Sequence, residues 1–381
     1  MGKLTRTNVG MDVCKRFIQV ALLTPSGQWV EWQTRNEPRA IAKMIGRIRR
    51  EAGESEIRTC YEAGPTGYAL QRVLRAAGLH CIVVAPSLIP RKPGERIKTD
   101  RRDARKLGQG LRNGDLTEVQ PPTPEQESLR DLCRVRGATQ KDLERRRHRL
   151  SKFLLRRDRI YPGKVAWTRA HLTWIEQQRF TDEYATATFD TLVRAVTEAQ
   201  QMLADLDAKL EAAAQREPYA TPVRHLRCFR SFDTVTALSV VAELYGFLRF
   251  ESASGLMAYL GLVPSEHTTA GRHQRGEITK AGNGRVRRLL NQAAWNYRHV
   301  PRVSRALKAR REGQPGWVVN VADKAMKRLH KRYWHLVNGG KPTPVAAIAV
   351  ERELVGFVWD VLHRDAHEQL EREVGTGKKA A

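Results

Sequence analysis

The sequence predicts an α/β domain at its amino end followed by a mostly α-helical second half. Three observations carry this expectation: short β-rich runs crowd the first 85 residues, two long stretches of helical periodicity follow Pro121, and apolar and basic helical segments run from Phe229 onward. A chain of 381 residues can bury two or three separate cores. Its 67 Lys and Arg against 41 Asp and Glu give a formal charge of +26. That excess calls for a polyanionic partner, of which nucleic acid is the usual one, although ribosomal-type and membrane-surface proteins share it. Cys14, Cys60, Cys81, Cys133 and Cys228 are scattered, odd in number and without a C-x-x-C pair. This favours a reducing cytoplasm over a disulfide scaffold or zinc finger. With no apolar signal core and no run of eighteen apolar residues, a soluble cytoplasmic protein without membrane contact is expected.

Residues Val9 to Val13, Phe17 to Leu23 and Trp29 to Thr34 read as three meandering strands, separated by Lys15-Arg16 and Pro25-Ser26-Gly27. Pro38 to Ala52 has helical spacing of Ile41, Met44, Ile45 and Ile48. Ile57 to Tyr61 predicts a strand with Glu62 at its end, Tyr68 to Ala77 a helix, and His80 to Ala85 a further strand. A helix starts after Lys98-Thr99, so Asp100 and Asp103 share one of its faces. Three antiparallel strands followed by helix, strand, helix, strand, helix is the order of the ribonuclease H-like fold.

Asp12 lies inside an apolar strand, where a carboxylate must be paired or bind a cation. Alone, Asp100-x-x-Asp103 reads first as a solvated helix face. Together, Asp12, Glu62, Asp100 and Asp103 stand at strand ends and a late helix, where sites form in open α/β sheets. Four such carboxylates would clamp two Mg²⁺ ions for phosphodiester chemistry. Lys98, Arg101 and Arg102 beside them are candidates for phosphate contact.

Pro121 to Glu125 signals a turn and a helix start. Glu125 to Arg157 then predicts a long helix with eleven Lys and Arg against five acids. Thr181 to Ala214 predicts a second one, and the two can pair as an antiparallel hairpin or between protomers, a coiled-coil arm over 121–215. Arg145, Arg146 and Arg149 are candidate phosphate contacts, though each is equally at home on a solvated face. Arg216 to Pro222 reads as a hinge, and Ser231 to Ala237 opens a helix, either as part of a phosphate-binding helical hairpin or as an ordinary capped helix. Gly261 to Tyr297 reads as a glycine-rich, hydroxyl-bearing loop, through Arg285, ahead of a basic helix. There Arg272, Arg275, Lys280, Arg285, Arg287 and Arg288 are candidate nucleic-acid contacts. Two helices, Val318 to Val337 and Val345 to Val374, close the chain before a short tail, 376–381.

The blocks Gly10-Met11-Asp12-Val13, Tyr61-Glu62-Ala63, Lys98-Thr99-Asp100-x-x-Asp103-Ala104, and Tyr259 to Pro264 with Lys280 to Asn283 together resemble the DEDD-type insertion-sequence transposases. Members of that family are described as bridge-RNA-guided DNA recombinases. The resemblance runs from about residue 8 to about residue 300. It implies a resolvase-like nuclease domain over 1–120, the coiled-coil arm, and a carboxyl-terminal transposase domain over 216–375. It further implies double-stranded DNA and a structured guide RNA as partners, dimers assembling to tetramers, and a nucleoid-associated location. It assigns Asp12, Glu62, Asp100 and Asp103 to Mg²⁺, and a serine to covalent attack on the scissile phosphate. Where the family carries Ser-Ser-Gly-Gly, this chain has Thr268-Thr269-Ala270-Gly271. The matching nucleophile is Thr269, with Thr268 or Ser265 as substitutes; the β-methyl of a threonine restricts χ1 and crowds the attacking oxygen. The alternative function is a metal-dependent nuclease of the Holliday-junction type, with water as nucleophile.

Overall fold

The computed structural model describes residues 5–90, 99–269 and 272–377, with the backbone alone for 267–275 and 373–377. Two compact units divide at Pro121 and Pro122. The first contains β1 (Arg6–Val13), β2 (Phe17–Leu23), β3 (Trp29–Arg35), α1 (Pro38–Ala52), β4 (Glu56–Glu62), α2 (Ala69–Ala76), β5 (His80–Val84), α3 (Asp100–Asn113) and β6 (Glu118–Val119). These strands form one sheet in the order β3-β2-β1-β4-β5-β6. β1 pairs antiparallel with β2 and parallel with β4, β5 runs parallel to β4, and the short β6 closes the edge antiparallel to β5.

Side chains alternate across the sheet. Val9, Met11, Tyr61, Cys81 and Val83 face α1 and α2, where Met44, Ile48 and Leu74 complete a core. Cys60, Ile82 and Val84 face the other way, against Leu107 of α3. Gly10 and Asp12 alternate with Val9 and Met11 and so belong to the α3 face. The backbone of α3 lies directly on β1 there. A Cβ placed on Gly10 would stand 2.1 Å from the Ala104 carbonyl oxygen and 2.3 Å from the Gly108 amide nitrogen. On the helix side, a Cβ on Gly108 would come within 3.2 Å of the Trp29 ring and 3.3 Å of the Gly10 nitrogen. Two glycines therefore set the distance between helix and strand.

The second unit begins with α4 (Pro124–Leu155), α5 (Arg169–Glu176) and α6 (Glu183–Ala213). The turn signal at Pro121 to Glu125 acts as a capping box: Gln126 N–H donates to Thr123 Oγ1 at 3.2 Å, and Thr123 N–H to Gln126 Oε1 at 3.0 Å. α4 and α6 pack along each other around Leu143, Phe153, Phe189 and Val196. They are tied by Arg136, which donates to Asp207 at 2.7 Å. α7 (Ala220–Leu226), α8 (Thr234–Leu244), α9 (Ala253–Tyr259), β7 (Pro264–Thr269), β8 (Arg272–Ile278), α10 (Gly284–Trp295), α11 (Arg305–Arg311), α12 (Gly316–Asn338) and α13 (Thr343–Gly377) follow. Leu129 and Cys133 of α4 and Leu210 of α6 join the main core with Phe229, Leu290, Leu329 and Val350. The stretch expected to be a glycine-rich loop is instead a hairpin, β7 paired antiparallel with β8. Its small, basic and hydroxyl-bearing residues lack the apolar alternation by which strands are recognised. No helix among the described residues is long and apolar enough to cross a membrane.

Glu351 of α13 is almost fully buried and accepts from Asn291 Nδ2 at 2.8 Å, while its Oε1 has no partner among the described residues. Burial pushes its carboxyl up to about 7, against the Asn291 hydrogen bond and the Arg287 charge, which lower it. The folded state therefore binds a proton that the unfolded chain releases near pH 4.5. Stability from this group is full below that pH and falls as pH rises to about 7, by about 3 kcal/mol. Glu351→Gln should flatten that slope in urea titrations between pH 5 and pH 8. Gly10→Ala should cost about 3 kcal/mol, read as a lower urea midpoint, because both obstructing atoms are backbone.

Candidate functional site

In the first unit, the parallel register of β1 and β4 ends at the Met11–Tyr61 pair, and the next residues on each strand are Asp12 and Glu62. Alternation puts both on the α3 face. α3 begins at Asp100 with Thr99 as its cap, whose Oγ1 accepts from Arg102 N–H at 3.3 Å. Asp100 and Asp103 then lie on the stripe that continues through Ala104, Leu107 and Gly108, the residues that pack on the sheet. Because α3 touches β1 at Gly10, its first turn arrives near Asp12. One ligand atom each from Asp12, Cys14 and Asp100 lies within 4.8 Å of the others.

That arrangement could hold a divalent cation: the carboxylates offer hard oxygen donors, and the Cys14 sulfur a softer one. Glu62 is exposed and Asp103 half-buried, and neither belongs to that group of three. In the sequence Cys14 reads only as one of five scattered cysteines, although it sits two residues beyond Asp12, just past the end of β1.

Glu31 of β3 carries no sequence signal of its own and acts on the same helix. Its side chain is only 9 % exposed, and it receives Arg101 Nε at 2.7 Å and Arg105 Nη2 at 2.9 Å. Burial works against its charge, but the hydrogen bonds and charges of Arg101 and Arg105 outweigh this and hold its carboxyl below the usual glutamate range. Glu31 thus pins the first two turns of α3 to the sheet. Arg101, expected to face nucleic acid, spends its guanidinium on this pair; Arg102 is exposed; Lys98 lies outside the described residues.

In the second unit, Thr268 and Thr269 are the last residues of β7, opposite His273 and Arg272, and Ser265 lies at an irregularity between Pro264 and Glu266. The base of the hairpin is held by glycines at positive φ. A Cβ on Gly282 (φ +65°) would meet the Tyr259 carbonyl oxygen at 1.8 Å, and one on Gly261 (φ +65°) would meet Ala281 backbone atoms at 2.4 Å. Arg287 Nη1 donates to the Leu260 and Ala281 carbonyls at 2.8 and 3.0 Å, so it braces the hairpin. Asn283 caps α10 through Oδ1 and donates its Nδ2 to buried Glu243 at 2.9 Å. Glu243 also receives Arg134 at 2.8 and 3.0 Å.

The other expected contacts divide. Arg145 pairs with Asp142, Arg146 donates to the Ala195 carbonyl at 2.7 Å, and Lys280 reaches Glu277 at 2.8 Å. Arg149, Arg285 and Arg288 are exposed. Arg272 and Arg275 stand on β8, with their side chains outside the described part.

If the first unit's acids hold a divalent cation, Glu31→Gln should weaken Mn²⁺ binding about tenfold in calorimetric titration, since Glu31 fixes Arg101 and Arg105 of the helix that bears Asp100.

A family profile described as "Transposase" matches residues 9–158, and one described as "Transposase IS116/IS110/IS902 family" matches residues 223–309. The Sinorhizobium fredii protein named "Putative transposase y4qE" is 40% identical over 356 residues, which is 93% of this chain and 87% of that protein. The "Transposase for insertion sequence element IS1533" of Leptospira borgpetersenii is 37% identical over 335 residues, 86% of this chain and 96% of its own length. Similarity at this level runs through both the acid-bearing sheet and the glycine-bound hairpin, and the chain belongs to the IS116/IS110/IS902 family of insertion-sequence transposases.

Proposed function

We propose that this transposase is an RNA-guided DNA recombinase that cuts and rejoins DNA strands through a covalent protein–DNA intermediate. The observation that carries the metal half of this reading is the convergence of Asp12 and Asp100 where α3 rests on Gly10. Asp12, Glu62, Asp100 and Asp103 are the residues we assign to Mg²⁺, two ions being the number four carboxylates can hold. When bound, the ions draw charge from the scissile phosphate and make its phosphorus more electrophilic. The acids would hold those ions, and the Thr269 hydroxyl is the nucleophile we assign. Its oxygen forms a bond to phosphorus as the bond to one deoxyribose oxygen breaks. The hydroxyl proton passes to solvent water, and the departing oxygen takes a proton from solvent. The phosphate ester on Thr269 conserves the bond energy, so a new deoxyribose hydroxyl can displace it without ATP.

Support for a guide RNA and for a dimer assembling to a tetramer rests on the family resemblance and on a charge of +26, which suits more than one nucleic-acid partner. The replacement of the family's serine pair by Thr268-Thr269 favours a second reading, in which water attacks and the hairpin only contacts phosphate.

Asp12→Asn should lower DNA cleavage roughly 1,000-fold, about 4 kcal/mol of transition-state stabilisation. Thr269→Ala should abolish a denaturant-resistant protein–DNA adduct while Thr269→Ser retains it. Cleavage that persists in Thr269→Ala without any adduct would select the water-based reading. Sequencing of RNA retained on the purified protein at high salt checks the guide: one discrete RNA with loops matching two DNA sites is expected.

A further inference from the structure

We infer that a cationic cleft between α4, α8 and α10 of the second unit is the seat of a DNA backbone phosphate, a site that rests on the proposed recombinase reading. The cleft has a volume of about 180 Å³, and its floor and walls include Arg134, Gly137 and Lys141 of α4, Glu243 of α8, and Arg285 and Arg288 of α10. This is below the roughly 300–1,000 Å³ of small-molecule sites, and it suits one phosphate with its sugar better than a whole cofactor. Its charge is divided. Glu243 is already engaged by Arg134 and Asn283, and Arg136 by Asp207, so those groups hold the walls. Glu144 is a second carboxylate of the lining and receives Gln140 Nε2 at 3.2 Å, but Lys141, Arg285 and Arg288 outnumber it and leave the cleft positive. Gln140, Thr236 and Gln292 add neutral hydrogen-bonding groups around them.

Gly137 is the second observation. It lies in the middle of a 32-residue helix, where glycine is among the least favourable residues. Packing does not demand it: an added Cβ would meet nothing nearer than Arg288 Nη2 at 3.9 Å. What the missing side chain leaves open is the space in front of Arg288. The source of the phosphate follows from chain order. α10 begins six residues beyond the end of β8, so Arg285 and Arg288 directly follow the hairpin assigned to attack DNA.

Binding of the full-length protein to a fluorescein-labelled DNA duplex and to an RNA hairpin, followed by anisotropy across a salt series, tests the assignment. Gly137→Glu should weaken DNA binding about tenfold and make the log–log salt slope shallower by about one, and Arg285→Ala with Arg288→Ala should act alike. Gln201→Glu, the same charge change on an exposed face of α6, should leave both unchanged. Should Gly137→Glu melt early, Lys141→Glu on the same wall carries the test. DNA binding by these variants equal to wild type would overturn the cleft assignment, as would a loss confined to the RNA hairpin. Wild-type protein that binds neither probe would overturn the recombinase reading and the cleft with it.

Discussion

The first unit depends on a contact between two backbones. α3 can approach β1 only because Gly10 has no side chain to meet the Ala104 carbonyl, and Gly108 matches it from the helix. At ordinary helix-on-sheet distance the first turn of α3 would stand off from the strand, and Asp100 would lose its proximity to Asp12. Close approach also sets direction. With the helix seated at Gly10 and Gly108, Glu31 can catch Arg101 and Arg105 from the neighbouring strand and fix the turn that bears the acids. The cost of gathering carboxylates is thus met by a rigid frame built before any cation arrives.

The second unit uses glycine for a different purpose. Gly261 and Gly282 adopt positive φ and let two backbone segments cross at the base of the β7–β8 hairpin. Arg287 then satisfies carbonyls on both segments, and the Arg134–Glu243–Asn283 network carries the cap of α10 into the core. Buried charge is tolerated there because each member has a partner of opposite sign or a hydrogen bond. The consequence is that the hydroxyl-bearing strand and the basic helix behind it share one anchor.

A charge of +26 does not mean that every basic side chain meets nucleic acid. Arg101, Arg134, Arg136, Arg146 and Arg287 are occupied by internal partners and build the frame. The bidentate, planar guanidinium suits this structural use as well as phosphate recognition. The positive charge left at the surface belongs to the remainder, among them Arg149, Arg285 and Arg288, which are exposed. Transposase membership and this division agree: a polyanionic substrate needs a broad positive field, which the exposed basic side chains supply.

By itself the sequence determined the elements that repeat a clear period. The strands through Val84 and the helices α1, α4 and α6 were legible because apolar residues recur every two or every 3.6 positions. The acids Asp12, Glu62, Asp100 and Asp103 were legible as candidates because carboxylates among apolar strands and cationic helix starts need an explanation. Elements of two to eight residues, such as β6, α5, α9 and α11, carry too few periods to stand out. The β7–β8 hairpin was hidden by glycine and charge in place of alternation. Only tertiary structure could decide which donors meet. Glu31 finds Arg101 and Arg105 across 70 and 74 residues, and Cys14 enters the acid cluster through the seating of α3 on Gly10. Such pairings are set by how closely two backbones pack in three dimensions, and local periodicity holds no record of that distance.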